Sequence, residues 1–385
     1  MTGKAFVAAE ALPEDWRSGL FLGRIDLGDG PTPVLVSGGI VHDMTAVAAT
    51  VSELVALKAF DPSAGKAIGD LETLGLSAAV DAPHRLLTPI DLQCVKAAGV
   101  TFAVSALERV IEERARGDSG AAAEVRGRIE SRIGGGIRTV KPGSPEAATL
   151  KATLIEEGMW SQYLEVAIGP DAEIFTKSPV LSTVGWGAPI GVRSDSTWNN
   201  PEPEVVLLAD SHGTAVGATL GNDVNLRDFE GRSALLLSKA KDNTASCAIG
   251  PFIRLFDATF SMDDVRTAKI DLLIEGEDDG YVLNGASTMS EISRDPEDLL
   301  AQAMSEHHYP DGYTLFLGTL FAPIQDRDEP GRGFTHKMGD LVTISTPKLG
   351  RLVNRVTTSK AAPAWTLGIA GLMRNLAGRG LLARA

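Results

Sequence analysis

Cysteine is almost missing from this chain. Of 385 residues only Cys94 and Cys247 are cysteine, with no C-x-x-C spacing. That argues against a disulfide scaffold, a zinc ribbon and thioredoxin-type exchange, and suits a reducing compartment. Positive charge is short as well: 36 Lys and Arg stand against 50 Asp and Glu, for a formal net charge of −14. A surface of that sign repels phosphate backbones and anionic headgroups, so no nucleic-acid or membrane partner is expected. No basic end followed by an apolar run opens the chain. The most lipid-like stretch, Ala364 to Leu382, is broken by Gly368, Gly371, Arg374, Gly378, Arg379 and Gly380. A span needs about 18 clean apolar residues. The expectation is a soluble, cytoplasmic protein whose C-terminal stretch is a short docking helix or tail, available to a subunit interface.

Several catalytic signatures are absent too. None of the six histidines stands in H-E-x-x-H, no G-x-S-x-G elbow occurs, and no G-x-G-x-x-G opens a helix after a strand. Zinc hydrolases, serine hydrolases and nicotinamide enzymes therefore drop out. What is present is a globular composition, 44% hydrophobic and 22% charged, able to bury a core.

Leu20 to Leu27 and Val34 to Asp43 read as strands about a Gly28-Asp29-Gly30-Pro31 turn, and Thr45 to Lys58 as a helix with Thr45 as N-cap. Leu86 to Asp91 reads as an extended lead-in. Helix follows from about Val104 to Arg116, with Leu107, Val110 and Ile111 on one face and charges on the other. Gly134-Gly135-Gly136 through Pro145 is a loop. Beyond residue 160 short runs read as strands: Leu164 to Ile168, Val205 to Ala209, Ala234 to Leu237, Lys269 to Glu275, Thr314 to Gly318 and Asp340 to Ser345. One helix, Pro296 to Glu306, interrupts them. Many short strands with Gly and Pro punctuation favour a β-dominated sandwich or roll.

The chemistry is acidic. Glu202 and Glu204 lie two residues apart, on the same face of an extended backbone, at the mouth of the apolar run Val205 to Leu208. Pro203 between them cannot donate to a ladder, which points to an edge or a bulge. Adjacent carboxylates repel unless a cation neutralises them. Asp223, after a strand and a Gly-rich turn, is a third carboxylate within reach. Three carboxylates without His or Cys form a hard oxygen site for Mg²⁺ or Mn²⁺ rather than Zn²⁺. Lys241 stands nearby, to neutralise a substrate carboxylate or, with a lowered pKa, to move protons.

These residues in order, Glu202-x-Glu204, Asn222-Asp223-Val224-x-x-Arg227-Asp228, Lys241 and Ile249-Gly250-Pro251, resemble the fumarylacetoacetate hydrolase family. Gly318-Thr319-Leu320-Phe321-Ala322-Pro323, Gly339-Asp340-Leu341-Val342, Gly350 to Asn354, Phe175-Thr176-Lys177 and Gly99 to Phe102 continue the likeness over residues 86–356. The resemblance implies an α+β fold. A small N-terminal α/β domain (1–85) would precede a mixed β-roll catalytic domain (86–356) and a helical tail (357–385). It also implies Mg²⁺ held by Glu202, Glu204 and Asp223, with Lys241 and Lys177 in the pocket, Thr319 against the substrate, and a homodimer or homotetramer.

The departures from the family pattern are informative. Where carbon–carbon hydrolases of the family carry a His–Glu pair, this chain has Ser105 and Glu108. The insertion Ser182 to Pro201, with Ser194, Trp198 and Asn199, is polar enough for a hydroxylated substrate. Together these are similar to the branch that dehydrates 2-keto-3-deoxy-D-pentonates (xylonate or arabinonate) to 2,5-dioxopentanoate. Glu173, four residues before Lys177, stands where that branch is expected to move protons. On this reading Glu173 and Lys241 move protons, and Ser105 and Glu108 bind a hydroxyl or position water. The alternative is hydrolysis of an acylpyruvate, a 1,3-diketo acid, against which the missing histidine counts.

Overall fold

The computed structural model describes residues 5–122, 124–127, 137 and 140–382, so the Gly134-Gly135-Gly136 loop lies outside the described residues. The strands begin with β1 (Leu20–Asp26), β2 (Pro31–Ser37), β3 (Ile40–Asp43), β4 (Lys66–Asp70), β5 (Arg85–Leu86), β6 (Cys94–Gly99), β7 (Glu173–Ser178), β8 (Pro189–Val192) and β9 (Asn199–Asn200). They continue with β10 (Pro203–Ala209), β11 (Ala215–Asp223), β12 (Asn225–Leu226), β13 (Cys247–Leu255), β14 (Lys269–Glu275), β15 (Val282–Thr288), β16 (Tyr313–Phe316), β17 (Leu341–Thr346) and β18 (Gly350–Thr358). An eleven-stranded sheet runs β4-β3-β2-β1-β13-β11-β10-β16-β6-β7, with β5 beside β1. Within it β16 and β6 are parallel, Thr314 facing Val95. A second sheet runs β15-β14-β17-β18-β8, and β9 pairs with β12. The architecture is α+β, as expected. Residues 1–85 supply the β1–β4 edge of the large sheet, which crosses position 85 through the Phe21–Arg254 pairing of β1 with β13.

The run Val205 to Leu208 shows how the layers form. Strand alternation sends Val205 and Leu207 into the core shared with the second sheet, among Ile270, Leu272, Val342, Ile344 and Leu352. Val206 and Leu208 enter the opposite core with Leu22, Ile253, Phe316 and the helix residues Val51, Leu54 and Val55. Buried on both faces, the strand reads as a continuous apolar run. Pro203 is its first residue, opposite Asn222 of β11 in the sheet interior, and not at an edge. A proline at the first position removes an N–H before the ladder needs it.

Other expectations are corrected. The first long helix covers only Val51–Ala56; Thr50 caps it by accepting from the Glu53 amide, while the Thr45 hydroxyl donates to Asp43 in the preceding turn. Leu164 to Ile168 belongs to a helix, Gln162–Ile168, begun by the Ser161 cap, with Leu164, Ala167 and Ile168 buried at helical spacing. Five apolar-rich residues fit either period, and the cap decides. Ala234 to Leu237 is a tight turn of helix running into Leu237–Lys241, capped by Ser233. The tail forms a helix, Ile369–Gly378, whose Leu372 and Leu376 pack with Leu181. Among the described residues no helix is long and apolar enough to cross a membrane.

The helix Ala103–Arg114 differs most from its reading. Much of its charged side is not solvated: Glu108 is 7% exposed, Arg109 8% and Glu112 1%, while Arg114 at the end reaches solvent. Leu107, Val110 and Ile111 pack into a core with Tyr163, Leu164, Ile168 and Trp198. Ser105, Arg109 and Glu112, spaced i, i+4 and i+7, form a second stripe. Buried charges survive there because each has a partner of opposite sign.

Candidate metal centre and active site

The β10–β11 pairing sets Glu204 opposite Gly221 and Pro203 opposite Asn222. The Glu202 amide donates to the Asn222 side chain at 3.1 Å, and the Asp223 amide donates to the Glu202 carbonyl at 3.1 Å. Two adjacent strand ends thus bring Glu202, Glu204 and Asp223 together, each with a carboxylate oxygen within 4.8 Å of the others, all buried. Glu204 accepts from the Gly318 amide at 2.7 Å and from the Thr319 hydroxyl at 3.1 Å. Gly318 has φ +101°, and a Cβ there would lie 1.9 Å from the Thr101 hydroxyl. Only glycine turns the amide towards Glu204 at this point.

Cations surround the triad. Lys241, at the end of the Leu237–Lys241 helix, donates to Glu202 and, at 3.1 Å, to Asp223. Lys177 pairs with Asp223 at 2.7 Å and donates to the Lys241 carbonyl, so it holds other groups in place and does not line the pocket. Glu173, Phe175 and Lys177 alternate along one face of β7, and Glu173 and Phe175 do line it. Arg109 touches three carboxylates: Glu202, Glu112 at 2.6 Å and Glu230 at 3.3 Å. Arg227 adds a contact to Glu112 at 3.2 Å. The Ser105 hydroxyl, also at the pocket, donates to the Thr319 carbonyl.

Of the expected site residues, Glu202, Glu204, Asp223, Lys241, Glu173, Ser105 and Thr319 meet at one cavity. Four others do not. Glu108, beside the Ser105–Arg109–Glu112 stripe, is held by Arg126, at 3.0 Å for one of two contacts, and does not line the pocket. Ser194 is solvent-exposed. Trp198 packs into the helix core beneath the Arg227 guanidinium. Asn199 bonds Ser196 at 3.2 Å and the His336 amide at 3.3 Å. The polar insertion therefore supports the pocket from outside. Arg109 and Glu230, which the sequence reading passed over, line it. Glu230 had one signal, its place seven residues after Asp223 in the same acidic motif.

Charge decides what the cavity can hold. Six buried or pocket-facing carboxyls (Glu112, Glu173, Glu202, Glu204, Asp223 and Glu230) face four cations (Arg109, Lys177, Arg227 and Lys241). The shortfall of two positive charges is what one divalent ion supplies, and the all-oxygen donor set fits Mg²⁺. Without an ion the shortfall appears as protonation. Burial, with the charges of Asp223 and Glu202, holds Glu204 well above the usual carboxylate range. Burial and then the charge of Glu230 push Glu173 up to about 7. Burial opposes ionisation of Glu202 too, but Lys241 and Arg109 overcome it and bring it down to about 2. For Glu230, burial and neighbouring carboxylates outweigh Arg109 and Lys241, and its pKa rises. Burial disfavours the Lys241 ammonium, yet Asp223, Glu202 and Glu230 keep it above the lysine range, correcting the expectation of a lowered value. The cavity itself measures about 20 Å³, room for one water-sized occupant.

The family described as "Fumarylacetoacetate (FAA) hydrolase C-terminal" matches residues 165–357, half of the chain. The chain belongs to the fumarylacetoacetate hydrolase family. Among curated members it is 32% identical over 203 residues to the "Probable 2-keto-3-deoxyxylonate dehydratase" of Haloferax volcanii, covering 53% of this chain and 66% of that protein. It is also 32% identical over 186 residues to the 2-dehydro-3-deoxy-D-arabinonate dehydratase of Saccharolobus solfataricus, 48% of this chain and 58% of that one. The match thus spans less than two thirds of either relative. A solved 2-keto-3-deoxy-D-arabinonate dehydratase complexed with magnesium and 2,5-dioxopentanoate shares the fold of this fumarylacetoacetate hydrolase family member. Its TM-score is 0.60 at 22% identity, over 88% of this chain and 98% of that one.

Proposed function

We propose that this family member is a Mg²⁺-dependent hydro-lyase that converts a 2-keto-3-deoxy-D-pentonate, the xylonate or arabinonate form, into 2,5-dioxopentanoate. The observation that carries the reading is the buried Glu202–Glu204–Asp223 triad in one cavity with Glu173, Lys241 and Ser105. The names of the two curated relatives support it. A divalent ion held by the triad would supply Lewis-acid stabilisation of the charge that develops on a 2-oxo acid when its C3 proton leaves. The chain's own residues do the remainder.

Glu173 is the pocket carboxyl outside the triad and outside the grip of Arg109, with no hydrogen-bond or ion-pair partner among the described residues. It takes the C3 proton and returns it to the departing C4 hydroxyl, which leaves as water. Loss of water leaves a C3–C4 unsaturated 2-oxo acid that still carries its C5 hydroxyl. Moving a proton from C5 to C3 gives the C4–C5 enol. Protonation at C4, with loss of the enol O–H proton, gives the C5 aldehyde, with no net oxidation. Lys241 presents its ammonium to the substrate carboxylate, and Ser105 and Thr319 bind a substrate hydroxyl. Acylpyruvate hydrolysis needs an activated water. Ser105 stands at the histidine position, and no histidine lines the pocket among the described residues.

The test is an assay of EDTA-stripped protein with 2-keto-3-deoxy-D-xylonate, restoring Mg²⁺ and following 2,5-dioxopentanoate, with acetylpyruvate in parallel. Magnesium-dependent product that vanishes in Glu204→Gln is expected. Cleavage of acetylpyruvate alone would overturn the dehydratase reading.

A further inference from the structure

Away from the metal cavity lies a buried charge that the proposed chemistry does not use. Arg24, within β1, is 4% exposed. Its Nε donates to the Thr88 carbonyl at 3.0 Å, but Nη1 is enclosed with no hydrogen-bond partner. The carboxylate whose field reaches it, Asp91, is already engaged by the Val51, Ser52 and Leu92 amides and the Ser52 hydroxyl. A guanidinium stays protonated, and a buried charge without a counterion is costly.

Arg24 faces a recess of about 420 Å³. Thr88, Thr183 and Gly185 form one side, and Leu367 and Asn375 of the C-terminal segment form another. The Thr183 hydroxyl donates to that of Thr88 at 3.1 Å. Arg85 and Asp26 share the wall but pair with each other, and Asp26 also accepts from the Gly28 and Gly30 amides at 2.9 and 3.0 Å. Those two charges cancel, so Arg24 sets the sign of the recess. No lining residue is common to this recess and the metal cavity.

We propose that the recess binds a small oxyanion, a carboxylate or phosphate group seated on the Arg24 guanidinium. A guanidinium gives either group a charge-assisted hydrogen bond, and the volume leaves room for the body of an organic acid. The site is independent of the dehydratase reading.

The probes are inorganic phosphate and pyruvate, titrated calorimetrically into the full chain at constant ionic strength, in unmodified, Glu204→Gln and Arg24→Gln forms. Binding that survives Glu204→Gln and weakens about tenfold or more in Arg24→Gln is expected, the loss that follows removal of a charged hydrogen-bond donor. Whichever probe binds tighter identifies the oxyanion. Should Arg24→Gln fail to fold, Ala188→Leu fills the recess, leaves the arginine in place, and is expected to cause the same loss. Unchanged binding in either recess variant, or no binding tighter than about 10 mM in the unmodified chain, overturns the proposal.

Discussion

Replacing Arg109 by glutamine tests whether the pocket is held by charge. The substitution keeps a polar side chain but removes the cation shared by Glu202, Glu112 and Glu230. Its side chain is 10% exposed and those of Glu112 and Glu202 are 2% and 1%, so solvent screens little of the interaction. Burial penalises the arginine, yet the three carboxylates hold its pKa well above the ordinary value, so attraction outweighs desolvation. Removing one partner of such a buried pair costs about 3–5 kcal/mol. At roughly 2 °C per kcal/mol for a large chain, the unfolding midpoint falls by roughly 6–10 °C. The measurement is differential scanning calorimetry in EDTA at pH 7, with and without 0.5 M NaCl, and salt leaves the difference in place because the pair is buried. Lys151→Gln is the control: the Lys151–Glu165 pair is 37% and 44% exposed, and its loss costs about 0–1 kcal/mol. Magnesium sharpens the test. The variant's charge shortfall rises from two to three, so Mg²⁺ raises its midpoint more than that of the unmodified chain. A fall no larger than the control's, or equal gains from Mg²⁺, would refute the reasoning.

Two further predictions concern Glu173. Its carboxyl, pushed up to about 7 by burial and by Glu230, must be ionised to accept a proton. Hence kcat/KM rises with pH through about 7 or somewhat below once magnesium adds positive charge. In Glu173→Gln the limb disappears and the rate falls by about 10²-fold or more; persistence of the limb would reassign it. Gly99 faces Glu173 across the β6–β7 pair, and a Cβ there would lie 2.0 Å from a Glu173 carboxylate oxygen. The clash meets the flexible end of the side chain, so Gly99→Ala shifts the carboxyl without unfolding the strand. Activity drops by about 10²-fold, as for a displacement of about 1 Å. Calorimetry showing a midpoint loss as large as that of Arg109→Gln would count against this reading.

The acidic triad was legible because strand alternation is a local rule: Glu202 and Glu204 share a face whatever the fold around them. The fold class was legible for a similar reason, since short runs with glycine and proline between them admit few long helices. Arg109 and Glu112 were not legible. A helix with Leu107, Val110 and Ile111 on one face ordinarily turns its charges to water, and only the arrival of Glu202, just ahead of β10, and of Glu230, at the end of the short helix Arg227–Glu230, makes burial tolerable. Ser194, Trp198 and Asn199 misled because polarity in an insertion says nothing about which way its side chains face. The helix at Leu164 was lost for want of length, and its signal lay in Ser161 just outside the apolar run.

One hydrogen bond carries a consequence for how the protein is made. Glu204 depends on Gly318 and Thr319, 114 and 115 residues later in the chain. At about 5–20 residues per second, translation supplies that loop roughly 6–23 s after Glu204. For that interval the nascent chain carries its clustered carboxylates without the amide and hydroxyl that finally orient one of them. The metal centre is therefore a late product of synthesis. A ribosome halted anywhere before residue 318 leaves an acidic, half-built sheet, whatever the supply of ion.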